Sequence, residues 1–215
     1  MGTLSGAAIR ERLLAPVLAE RLVVSPLLEP LEQLRDDQAS IDVRLGFDFA
    51  LVQATGYAAI DEFDDSPLFA HPLKFPGLYR RTYVPFGKCI VIHPHQFILA
   101  TTLEYLRLPG DLNAYVIGRS SWGRLGLIVA TAVGIQPRFS GPLTLELRNL
   151  GETPINLYPG QVIAQLFLHE VAGPQVRGGA APGQYAGAID LIPRNLSSES
   201  TRRKLAAMTS AKGRV

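Results

Sequence analysis

The sequence contains one cysteine, Cys89, so no intrachain disulfide can form and the fold must hold by packing alone. A reducing cytoplasm is the compartment this predicts. No apolar run approaches the ~20 residues that a membrane-spanning helix needs. The stretch MGTLSGAAIRERLLAP is broken by Arg10, Glu11 and Arg12, unlike the apolar centre of a secretory leader. Charge is sparse, at 19% of residues and a net +2, so nothing points to a nucleic-acid or membrane-surface partner. Histidines number four, His71, His93, His95 and His169, and only His93 and His95 are close in sequence. One such pair and a distant cysteine do not make a zinc site. The zinc deaminase signature, H-x-E followed by P-C-x-x-C, cannot be built from a single cysteine. No metal held by protein side chains is therefore expected.

What is present suits one domain, 1–215, since 47% of the residues are hydrophobic. Residues 4–23 pattern as a helix capped by Ser5, with Pro16 as a break or kink. At Ile41 the period changes. Ile41, Val43, Leu45, Phe47, Phe49 and Leu51 alternate with other residues, as in a strand with one buried face. Residues 54–88 read as an irregular insertion with one strand. Short strand candidates follow: CIVI, QFILATTLEYLRL, LNAYVIG, LTLELRN, PINLY and QVIAQLFLHEV. Turn signals separate them at Pro109-Gly110-Asp111, Ser140-Gly141-Pro142, Asn149-Leu150-Gly151 and Pro159-Gly160. Many short strands at this spacing predict a mainly β sandwich or barrel, with its core over about 39–171. Residues 172–215 form a flexible tail, rich in Gly, Ala and Pro at first, with a short basic helix over 197–212.

Three segments carry chemistry. In GRSSWGRLGL, Gly118 to Leu127, arginine forks and serine hydroxyls suit phosphate oxygens, and the glycines let backbone N–H groups approach an anion. Arg119, Ser120, Ser121 and Arg124 make either a phosphate cradle or a polar turn with surface arginines. In LTLELRN, Leu143, Leu145 and Leu147 share one face and Thr144, Glu146 and Arg148 the other. Glu146 is either an ordinary exposed strand residue or a general base whose pKa partial burial raises. In PGQVIAQLFL, Gln165 falls between apolar neighbours, and its amide must bond either a ligand or a nearby loop.

With these segments in this order, the chain resembles the dCTP deaminase and dUTP pyrophosphatase family, the deaminase branch more closely. The resemblance runs from about Ala39 to Gly187, through ASIDVRLG, GRSSWGRLGL, VGIQPRFSGPLTLELRN and PGQVIAQL. It implies a distorted β-barrel or jelly-roll that assembles as a homotrimer, with active sites between subunits. It implies a deaminase without zinc, acting on dCTP to give dUTP and ammonia, with Mg2+ entering on the nucleotide phosphates. By matching position, Arg119, Ser120 and Ser121 would hold phosphates, and Trp122, Gly123 and Arg124 would line the site. Arg124 and Ser120 are also counted with the catalytic group, Arg124 holding the catalytic carboxylate and its water. Glu146 stands at the general acid/base position. Thr144 and Leu145 would flank the base, while Gln165 and Tyr185 would contact the nucleotide.

The sequence departs from that pattern in three places. Gln136 stands where both branches carry an aspartate that meets the sugar and, in the pyrophosphatases, positions the attacking water. Glutamine cannot act as a base. VATAVG, 129–134, is one residue shorter than the deaminase pattern and lacks its histidine. With Tyr185 set on the family's aromatic, Val176, Gln184 and Ala188 replace the tail's tyrosine, lysine and glutamine. The alternatives to a deaminase are therefore a dUTP pyrophosphatase, alone or as a second activity, and a non-catalytic nucleotide-binding trimer.

Overall fold

The computed structural model describes residues 2–54, 78–131 and 134–173, together with Leu191, Arg203 and Ala207. The chain divides into two compact units, one of Met1–Val52 with Arg81–Leu191 and one of Gln53–Arg80 with Ile192–Val215. In the second, Gln53 N donates to Leu78 O at 2.8 Å. The elements that build the site belong to the first.

Three helices have both ends among the described residues: α1 (Gly6–Leu14), α2 (Pro30–Gln33) and α3 (Ser120–Gly123). The strands are β1 (Val23–Ser25), β2 (Ile41–Val52), β3 (Tyr79–Tyr83), β4 (Ile90–Ile92), β5 (Phe97–Arg107) and β6 (Leu112–Gly118). They continue with β7 (Leu127–Val129), β8 (Gly134–Ile135), β9 (Ser140–Asn149), β10 (Ile155–Leu157) and β11 (Val162–Glu170).

Helix α1 begins as expected, with Ser5 Oγ accepting from Ala8 N at 3.3 Å. It ends sooner than the expected residue 23. Ala15 leaves the helix at ψ 129, because a following proline disfavours helical backbone. The chain then turns back, Leu22 N donating to Arg12 O at 3.0 Å, and β1 pairs with β5.

The main sheet runs β7-β9-β5-β2-β11-β6-β8, with β1 on β5 and β3 on β2, while β4 and β10 form a separate antiparallel pair. The path is antiparallel at every step and curls on itself. Gly118 at the end of β6 lies so close to β7 that a Cβ there would stand 3.0 Å from Val129 Cγ2. The mainly β architecture is the one the strand spacing predicts, and the expected sandwich or barrel is realised as a curled half-barrel. The stretch Ser140-Gly141-Pro142 opens β9 rather than forming a turn, pairing with Arg107, Leu106 and Tyr105. A register shift between Thr101 and Tyr105 accommodates it.

The core takes Ile41, Val43 and Leu45 from β2, Ile98 and Ala100 from β5, Leu143, Leu145 and Leu147 from β9, and Leu166 and Leu168 from β11. Strand β2 departs from the one-faced expectation, since Asp42 and Arg44 on its other face are also buried. Residues 26–33 cover that face: Arg44 Nη2 donates to Pro26 O at 3.1 Å, and Gln33 Nε2 donates to Asp42 O at 3.2 Å. Beneath them Arg44 Nε donates to Glu104 Oε1 at 2.7 Å and Arg44 N to Glu104 Oε2 at 2.8 Å. Gln33 Nε2 supplies Oε1 with a second bond at 3.2 Å, so both carboxylate oxygens of the buried pair are satisfied. Of the expected tail helix over 197–212, only Arg203 and Ala207 are described, and both are helical.

Candidate active site

Alternation along β9 places the site's carboxyl group. Leu145 and Leu147 are wholly buried, so Glu146 between them must point to the opposite face. There it is half-buried beside Leu99, its partner on β5. On its other side the main chain is pinned: Ala130 N donates to Glu146 O at 2.7 Å, and Glu146 N donates to Thr131 Oγ1 at 2.9 Å. Loss of water around the carboxyl raises its pKa above the ordinary glutamate value. A carboxyl tuned upward and still half-open is suited to taking and returning a proton. Thr144 shares this face and pairs with Thr101. Leu145 turns into the core, so only its main chain borders the face.

The segment GRSSWGRLGL divides its glycines and cations between two tasks. Arg119 is extended at the end of β6 and caps α3, with Gly123 N donating back to Arg119 O at 3.1 Å. Ser120, Ser121, Gly123 and Arg124 are exposed on this single turn. Trp122 is half-buried, packs against the core and donates from Nε1 to Val162 O at 2.8 Å, tying the turn to β11. Gly126 serves the backbone rather than an anion. Its φ is +91, and a Cβ there would lie 2.7 Å from Gly151 N.

Arg119 finds a partner that sequence reasoning did not single out. Its Nη1 donates to both oxygens of Asp42, at 2.7 Å each. Gln165 Nε2 donates to Asp42 Oδ1 at 3.1 Å and to Ser40 Oγ at 3.4 Å. The pairing Gln165↔Asp42 between β11 and β2 brings them together. A carboxylate set inside the apolar run of ASIDVRLG was the available signal, since a buried charge needs a partner.

The two groups of residues meet at the seam of the curled sheet. Val129 pairs with Leu147, the neighbour of Glu146, and packs on Gly118, the neighbour of Arg119. A half-buried carboxyl on β9 and the exposed hydroxyl and guanidinium groups of Ser120–Arg124 therefore border the same seam. Gln136 is exposed in the turn after β8, its main-chain O accepting from Phe139 N at 3.2 Å. Tyr185, Val176, Gln184 and Ala188 lie outside the described residues. Among the described residues no group of three or more His, Cys, Asp or Glu is placed to hold a metal ion, and no helix is long and apolar enough to cross a membrane.

A family model for dCTP deaminase-like proteins matches residues 3–171. The chain belongs to the dCTP deaminase-like family. Family relatives include a dCTP deaminase (dUMP-forming) of Dictyoglomus thermophilum, 40% identical over 72% of this chain and 75% of that protein. A protein of the same description from Methanobrevibacter smithii is 35% identical over 81% of this chain and 87% of its own. One from Natronomonas pharaonis, described as dCTP deaminase, is 38% identical over 81% and 83%. Among solved structures, the 2'-deoxycytidine 5'-triphosphate deaminase of Agrobacterium tumefaciens has the same fold, with a TM-score of 0.56 at 24% identity. That match covers 80% of this chain and 48% of the Agrobacterium chain.

Proposed function

We propose that the protein deaminates dCTP, with Glu146 as the proton-transfer group. The observation that carries this is the Glu146 carboxyl, raised in pKa and half-open, at a seam shared with Arg119 and the exposed turn Ser120–Arg124. Water adds to the ring carbon that bears the amine. Glu146 takes a proton from that water and passes it to the ring nitrogen, and the tetrahedral carbon then expels ammonia with a second proton. Proton transfer of this kind contributes about 10²- to 10⁴-fold. Arg119, Ser120, Ser121 and Arg124 hold the phosphates, and Mg2+ enters as part of the nucleotide substrate.

The relatives from Dictyoglomus and Methanobrevibacter are named as dUMP-forming, which favours dUMP over the dUTP expected from the sequence. The balanced reaction is dCTP plus two waters giving dUMP, ammonia and pyrophosphate. Gln136 can orient a water but cannot take its proton, so the second hydrolysis does not draw its base from that position. The site works as a homotrimer in the cytoplasm on this reading. Exposed Ile117, Leu125 and Leu150, on segments bordering the seam, suit burial against another copy.

The test is to incubate the protein with dCTP, CTP, dCMP and dUTP plus magnesium, measuring ammonia, pyrophosphate and product mass, with Glu146→Gln as control. Ammonia from dCTP alone, lost in the variant, with equal pyrophosphate, is the expected result. Ammonia without pyrophosphate would return the product to dUTP. Pyrophosphate from dUTP without ammonia from dCTP would make the chain a pyrophosphatase. Binding without turnover would leave a nucleotide-binding regulator.

A further inference from the structure

Arg119 is not a free cation at the phosphate site. Its side chain bonds the protein through Nη1 alone, to both Asp42 oxygens, and leaves Nη2 and Nε without a partner among the described residues. Asp42 is itself held on several sides. Gln165 Nε2 bonds its Oδ1 at 3.1 Å, and Gln33 Nε2 bonds its main-chain O at 3.2 Å while also reaching buried Glu104. Asp42 is only 8% exposed, so its carboxylate has little water to turn toward.

On charge alone this carboxylate is adverse, because it offsets a cation where an anion is to bind. Its value must be geometric. A free arginine loses rotamer freedom when it grips a ligand, whereas one already fixed loses little. We propose that Asp42 is the positioning residue of the phosphate site, fixing Arg119 through Nη1 and leaving the Nη2–Nε edge to make two parallel bonds to a phosphate. The proposal rests on the reading of Arg119 as a phosphate-binding residue.

Inorganic triphosphate, with and without magnesium, is the probe. Its binding is measured by calorimetry on wild type, Asp42→Asn, Arg119→Lys and the double variant, with dCTP kinetics alongside. Positioning predicts that Asp42→Asn weakens binding about 3- to 10-fold although it removes a negative charge. The double variant should bind no more weakly than Arg119→Lys alone. Gln165→Met removes one bond to Asp42 without changing charge. It should weaken binding about 2- to 3-fold, an effect absent in the Arg119→Lys background, and it keeps the test open should Asp42→Asn fold poorly. Tighter or unchanged binding by a folded Asp42→Asn overturns the proposal, as does a double variant whose loss is the product of the single losses. An Asp42→Asn effect seen only with magnesium assigns the carboxylate to the cation and overturns it too. A wild type that binds no triphosphate removes the phosphate site and the proposal with it. A wild type that binds triphosphate but releases no ammonia refutes the deaminase reading alone, and the variant cycle still decides this one.

Discussion

Glu104→Gln should be among the most damaging isosteric substitutions in this fold. The Glu104 side chain is 0% exposed and Arg44 is 5% exposed, so neither charge is shared with solvent. Glu104 accepts from Arg44 Nε, Arg44 N and Gln33 Nε2. An amide in its place keeps the shape, strands the Arg44 charge and turns an N–H2 group on donors. Removing one partner of such a pair costs about 3–5 kcal/mol. That is a large share of a typical domain stability of about 5–15 kcal/mol. At about 2–4 °C per kcal/mol for a chain of this size, the melting temperature should fall roughly 6–20 °C. The assay is urea denaturation followed by fluorescence and circular dichroism, read as a lowered midpoint at constant slope. Replacing both Arg44 and Glu104 by methionine should recover most of the loss, because desolvation of the pair then disappears. A single-variant cost below about 1 kcal/mol would refute the reasoning, as would a double variant as unstable as the two singles summed.

Four further outcomes are expected. Glu146→Gln should lower ammonia release from dCTP by about 10²- to 10⁴-fold with nucleotide binding retained, measured by steady-state kinetics and calorimetry. Because burial raises the Glu146 pKa, kcat/KM should fall on the acid side through a value above the ordinary ~4.3, and a limb at or below it would count against Glu146. The same shift means that ionised Glu146 costs the folded state stability at neutral pH, so Glu146→Gln should melt no lower than wild type at pH 7, with the difference closing as pH falls below the ordinary glutamate value of ~4.3, toward about pH 3, where folded and unfolded carboxyls are both largely protonated. Gly126→Ala meets both a φ of +91 and Gly151 N at 2.7 Å, so it should lose at least about 1–3 kcal/mol in denaturation.

Much of the site was legible where it depends on local pattern. The period-two alternation of LTLELRN sets Leu145 and Leu147 inward and Glu146 outward, and Ser5 and Pro16 mark the ends of α1 through backbone rules that span a few residues. What stayed hidden depends on pairing across the chain. Arg119 and Asp42 are 77 residues apart, and Arg44 and Glu104 are 60 apart, so only sheet order and register bring them together. The second buried face of β2 was hidden for the same reason. Alternation shows which residues share a face, but not that residues 26–33 return to cover the polar one.

The seam at Val129 has a thermodynamic consequence. The chain from Arg119 to Val129 carries the proposed anion donors at one end and closes the sheet through Val129 at the other, so on the proposed reading occupancy of the site and closure of the sheet are linked quantities. A ligand at 100 times its Kd would stabilise the closed form by about 2.7 kcal/mol. That linkage should be visible as slowed amide hydrogen exchange at Ala130, which donates to Glu146 O, and at Leu150, which donates to Gly126 O. Protection there would rise with nucleotide even in a Glu146→Gln protein that turns nothing over.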